Sequence, residues 1–90
     1  MTTSTDPVPT DYQVAIIGAN RAGISVALDA YEAGIERIVI IDSQEEVELP
    51  DLGGQPDVLL GKPVERIKED GTVTVSGADF EVTATVAVVA

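Results

Sequence analysis

The 90-residue chain contains no cysteine and no histidine. The first absence excludes disulfides and a catalytic dithiol. The second removes the commonest metal ligand and the usual general base near neutral pH. No metal site and no catalytic residue is expected. Tryptophan is also absent and aromatic residues make up only 3% of the chain, so a core must be assembled from Val, Ile, Leu and Ala. That material suits a parallel sheet covered by helices. Basic residues are scarce, 5 against 16 acidic, which leaves a net charge of -11. Nucleic-acid phosphates and anionic membranes are therefore poor partners. The charge serves solubility, with a basic protein partner as the sharper alternative. No apolar run approaches the roughly 18 residues of a membrane span. Residues 1–11 lack the basic start and apolar stretch of a secretory signal, which makes the cytoplasm the expected location.

What remains is ordinary for one soluble domain, 44% hydrophobic and 23% charged. Ninety residues make one domain with a modest core. Residues 1–11 are rich in Thr, Ser, Pro and Asp and read as a disordered tail, leaving 12–90 as the domain. Val14-Ala15-Ile16-Ile17 is an unbroken apolar run ending at Gly18, as in a strand buried on both faces. A helix is expected over Arg21–Ala33, with Ile24, Ala27, Leu28 and Tyr31 on its buried stripe and Ser25, Asp29 and Glu32 opposite. Gly34 stands where a left-handed C-terminal cap belongs. Ile38-Val39-Ile40-Ile41 forms a second buried strand and completes a βαβ unit.

The next segment, Ser43 to Pro56, is acidic and turn-rich. Ser43 and Glu46 have capping-box spacing, which predicts one or two helical turns ending before Pro50. Val58-Leu59-Leu60 is expected as a third parallel strand. Beyond Pro63 a strand over Val64–Lys68, the Asp70-Gly71 hairpin signal, and alternation of Val73 and Val75 with Thr72, Thr74 and Ser76 predict a meander. Its third strand starts at Phe80 and Val82. A separate final strand, Val86–Ala90, returns to the parallel sheet. The expected class is α/β, a small Rossmann-like parallel sheet with an antiparallel three-stranded β-meander.

The segment richest in chemistry is Gly18-Ala19-Asn20-Arg21-Ala22-Gly23. A diphosphate needs donors at close range, and the first turn of a helix offers unpaired N–H groups and a partial positive charge. In the G-x-G-x-x-G fingerprint, the first glycine makes the tight turn, the second admits the pyrophosphate, and the third lets helix and sheet approach. Here Gly18 and Gly23 fill the first and third roles. Asn20 replaces the middle glycine, and its side chain either obstructs a phosphate or donates an amide hydrogen to it. Asp42 lies 24 positions after Gly18, close to the roughly 20 expected for the carboxylate that accepts from the ribose hydroxyls. Arg21 opposes the helix dipole unless an anion lies beside it. No basic residue follows Asp42 closely, which disfavours a 2′-phosphorylated ligand. The bland reading is that these glycines only pack a βαβ turn.

Together, the stretch Val14–Asp42, the stretch Asp57–Ile67 and the stretch Gly71–Ala90 resemble the two-dinucleotide-binding-domain flavoproteins, the group of thioredoxin, ferredoxin and disulfide reductases. The likeness spans most of Tyr12–Ala90 and rests on the order of βαβ unit, third strand, meander and return strand. It implies a domain that binds the ADP part of a dinucleotide. The cofactor would be FAD, from the N-terminal position, with NAD as the alternative. Gly18, Ala19, Asn20, Arg21, Ala22 and Gly23 would contact the pyrophosphate and Asp42 the ribose, where the family usually carries Glu. The family has a longer stretch where this chain has only Ser43–Pro56, and a second nucleotide domain that these 90 residues do not include. The resemblance thus implies a fragment or reduced relative of a flavin-dependent oxidoreductase, with no hydride transfer expected from this chain alone. Two alternatives stand beside it. One is an interaction module with a degenerate site. The other is half of a split enzyme completed by a partner chain, which would expose an apolar patch around Leu49, Leu52 and Val86–Ala90.

Overall fold

The computed structural model describes residues 10–90. Its elements are β1 (Tyr12–Ile17), α1 (Arg21–Glu32), β2 (Ile38–Ile41), β3 (Asp57–Leu59), β4 (Arg66–Asp70), β5 (Thr72–Ser76) and β6 (Glu81–Val89). They form one six-stranded sheet in the order β3-β2-β1-β6-β5-β4. The strands β3, β2, β1 and β6 run parallel, and β5 and β4 extend the sheet antiparallel. This is the expected α/β class, a small Rossmann-like sheet carrying a meander.

The apolar runs behave as buried strands must. All of β2 is inaccessible because it lies between two neighbours and is covered on both faces. On one face Val14, Ile16, Ile38 and Ile40 pack against Ala27 and Ala30 of α1 and against Leu52. On the other, Ala15, Val39 and Ile41 continue into a cluster with Val73, Val75, Val82 and Ala84 of the meander. No helix among the described residues is long and apolar enough to cross a membrane.

Of the stripe expected on the helix, Ile24, Ala27 and Tyr31 pack against the core, and Leu28 is the departure. Gly23, Ala27 and Ala30 are its buried residues, whereas Leu28 is 41% exposed. Small side chains let the helix axis approach the sheet, and the close contact is made where they lie. Ser25, Asp29 and Glu32 face solvent as expected. The helix ends in a Schellman arrangement: Gly34, at φ +90°, donates to Tyr31 O and Ile35 donates to Ala30 O, each at 3.0 Å.

Three other expectations are corrected. No helix forms over Ser43–Leu49. The Asp42 carboxylate takes the Gln44 N–H at 2.8 Å, and the Gln44 carbonyl accepts from Gly61 at 2.7 Å, so the chain turns instead of coiling. The first meander strand is Arg66–Asp70, shifted from Val64–Lys68, and all its residues are exposed at the sheet edge. The apolar patch expected at Leu49 and Leu52 is absent, since Leu52 is buried and Leu49 packs against the same cluster. Val86, Val89 and Ala90 are the exposed members of that set.

The third meander strand and the return strand prove to be one element. β6 pairs antiparallel with β5 through Glu81–Ala84 and parallel with β1 through Ala84–Val89. Its in–out alternation slips midway. Ala84 and Ala87 join the same cluster, and Thr85 and Val86 between them are both exposed. β1 slips alongside: Tyr12 and Ala15 share that cluster, and the N–H groups of Gln13 and Val14 both donate to Arg37 O, at 2.7 and 3.3 Å. Such doubled donation marks a bulge. At the lower end of β1, Asp11 exchanges hydrogen bonds with Thr83, and Arg37 donates to Thr10 O. Thr10 and Asp11, expected within the tail, are thus tied to the sheet. The rest of that expected tail, residues 1–9, lies outside the described residues.

Candidate functional site

The carboxyl ends of β1, β2 and β6 meet at the point where strand order reverses, with β2 on one side of β1 and β6 on the other. Open α/β sheets present a crevice at such a point. Here it is a cleft of about 320 Å³. Ile17, Gly18, Val89 and Ala90 line one side, Asp42 and Ser43 the middle, and Lys62, Pro63 and Val64 the other side.

Gly18 leaves β1 at φ +116°, a backbone state that disfavours any side chain. Its N–H donates to Ile41 O at 2.8 Å, which fixes the turn against the end of β2. Gly23 answers a different need. A Cβ there would overlap the Gly18 carbonyl oxygen and press on the Ile16 side chain at 3.0 Å. The helix can therefore start this close to the sheet only with glycine at 23.

Asn20 is the helix N-cap. Its backbone is extended, and its Oδ1 accepts the Gly23 N–H at 2.9 Å while its carbonyl accepts from Ile24. The side chain thus satisfies one of the donors that a helix start leaves unpaired. The N–H groups of Asn20, Arg21 and Ala22 find no acceptor among the described residues. The first turn carries no acidic side chain, and Arg21 is exposed.

Asp42 points into the corner. Its Oδ2 accepts the Ala19 N–H at 2.7 Å and its Oδ1 the Gln44 N–H at 2.8 Å. These amides, Gln44 first and then Ala19, hold its carboxyl below the usual carboxylate range, against a smaller opposing effect of burial. Asp42 therefore braces the glycine turn. Each oxygen keeps a further lone pair for a ligand hydroxyl.

The structure brings Gly18, Ala19, Asn20, Gly23 and Asp42 into one corner. Of the residues expected at the site only Gly18 and Asp42 line the cleft; Ala19, Asn20, Gly23 and the exposed Arg21 and Ala22 lie outside its lining, at the start of α1. The sequence reading missed Lys62, Pro63, Val64 and Ser43. Lys62 lies 20 positions beyond Asp42 in sequence, yet its N–H donates to Asp42 O at 3.0 Å. Its ammonium pairs with Asp79 at 2.6 Å. The signal for it was the Gly61 turn directly after the third parallel strand, which must lie beside the end of β2.

Neither protein-family models nor curated proteins match the sequence. Solved structures do match the fold. A water-forming NADH oxidase from Lactobacillus brevis, bound to NADH, superposes with a TM-score of 0.62 over 87% of this chain at 20% identity. The bacillithiol disulfide reductase of Bacillus cereus superposes with a TM-score of 0.59 over 88% of this chain, also at 20% identity. The likeness is one of fold. The chain spans 20% and 28% of those two proteins.

Proposed function

We propose that this chain binds the ADP moiety of a dinucleotide, FAD in the first instance and NAD as the alternative, as a fragment or reduced relative of a flavin-dependent oxidoreductase. The observation that carries this reading is the set of unpaired N–H groups on Asn20, Arg21 and Ala22 at the start of α1, beside a cleft at the carboxyl ends of the parallel strands. Gly18 and Gly23 permit the tight turn and the close start of the helix, and Asp42 holds their shape. The fold likeness to an NADH oxidase and a disulfide reductase supports it.

The residues fit the ADP end of such a cofactor. The main-chain hydrogens of the first helical turn would hold the diphosphate. The spare lone pairs of Asp42 would accept from the ribose. A bound flavin would supply hydride chemistry. This chain's own residues bind and orient one end of the molecule.

A second reading is favoured by Asn20. Its side chain already satisfies the Gly23 N–H, and the Ala19 N–H is taken by Asp42. In that reading the chain is an interaction module that retains the fold with a degenerate site, or part of an enzyme completed by a partner chain. Titration of the labelled chain with ADP, FAD and NAD, followed through backbone amide signals, separates the two. Shifts concentrated at Gly18–Gly23 and Asp42 support binding. No shift at millimolar ligand overturns it.

A further inference from the structure

We propose that Lys62 is the counter-charge for a ligand diphosphate in this cleft and that Asp79 competes with the ligand for it. The inference rests on the nucleotide reading above and adds to it a residue that governs how strongly phosphate is held. Among the residues lining the cleft, Lys62 alone carries positive charge. In a chain of net charge -11, a diphosphate entering there meets Asp42 and the surrounding acidic surface. The amides of the helix start offset part of that repulsion. Lys62 is the cation in the cleft lining available to offset the rest.

The backbone of Lys62 is fixed beside the site, since its N–H bonds to Asp42 O and the preceding Gly61 N–H bonds to Gln44 O. Its side chain is committed less firmly. The ammonium reaches Asp79, in the turn between β5 and β6, in a pair whose side chains are 32% and 65% exposed. An ion pair this open to water contributes little, so exchange of the partner is easy. Lysine suits exchange, being a compact charge on a flexible stem with rotatable donors. A diphosphate offers more charge than one carboxylate and more acceptor oxygens. The ammonium therefore passes from Asp79 to the ligand on binding, and Asp79 is a built-in competitor that lowers affinity.

The test compares ADP with adenosine on the full chain, as wild type, Lys62→Gln, Lys62→Arg and Asp79→Asn. Lys62→Gln should weaken ADP about tenfold through loss of a charge-assisted contact. Asp79→Asn should tighten ADP about threefold, the scale of an exposed ion pair. Lys62→Arg should hold most of the wild-type affinity. Adenosine, which lacks phosphate, should bind all four proteins alike. A gain of affinity in Asp79→Asn is a result that misfolding does not mimic. Amide shifts at Gly18–Gly23 with ADP, but equal ADP affinities in wild type, Lys62→Gln and Asp79→Asn, overturn the role of Lys62 and leave the nucleotide reading standing. No ADP response in the wild type overturns both.

Discussion

The carboxylate of Asp42 and the amide of Ala19 are joined by a 2.7 Å hydrogen bond that closes the corner between the first two strands. One residue at the end of β2 thereby determines the shape of the turn that follows β1. The bond is charge-assisted, and the same carboxylate also takes the Gln44 N–H.

Asp42→Asn is expected to destabilise the chain by about 1–2 kcal/mol, because an amide can accept at only one of its two terminal atoms. The pH dependence has a definite sign. Asp42 is held below its ordinary value in the folded state. Its contribution is therefore fully present above the unfolded value of about 4, and is lost as pH falls through the lowered folded value. Urea denaturation between pH 7 and pH 3 should show a steeper acid decline in wild type than in Asp42→Asn. Equal slopes would remove Asp42 from the corner.

Gly23→Ala places a methyl group on the Gly18 carbonyl. The helix would have to move off the sheet, at a cost of about 1–3 kcal/mol typical of overpacking. Thermal unfolding measures it. An unchanged midpoint would mean that the close approach of α1 to β1 is not needed.

Asn20→Gly should separate stability from binding. The cap is lost, but glycine is itself a tolerated cap, so stability falls by only a few tenths of a kcal/mol. The Gly23 N–H becomes available to a ligand. ADP should then bind more tightly than to wild type, by about three- to tenfold for one added charge-assisted hydrogen bond. Calorimetric titration of both proteins reads the change, and weaker binding in Asn20→Gly would mean that the Asn20 amide itself contacts phosphate.

Tyr12 donates its phenol hydrogen to Asp57 at 2.6 Å. That bond first, then burial and the charge of Asp57, push its pKa up to about 12. The folded chain holds this proton more tightly than the unfolded one. Stability should therefore decline as pH rises from about 10, the unfolded value, towards 12. Ultraviolet titration should show one tyrosine ionising near the upper value, and Asp57→Asn should bring it down.

The core of this fold was legible because β2 is apolar at every position and the glycine turn is flanked by a strand and a helix. Those signals depend only on local chain. On α1 the pattern places Ile24, Ala27 and Tyr31 correctly and errs at Leu28, because the close approach to the sheet favours the smaller Ala30. Ser43 and Glu46 had the spacing of a cap, but Asp42 next door captured the amide of Gln44 first. The continuity of β6 was hidden by Thr83 and Thr85, which look like an interruption when neighbouring strands are not known. Lys62 was out of reach for a similar reason: only the pairing of β2 with β3 puts it beside Asp42.

The nine residues of β6 serve two partners of opposite direction, and the same strand delivers Val89 and Ala90 to the cleft. One continuous strand joins the meander to the parallel strands. Force applied at the hairpin would be carried along a hydrogen-bonded rail to the floor beneath Gly18. Slow amide exchange at Val75 and at Ala87 should rise together under mild denaturant, as one cooperative opening.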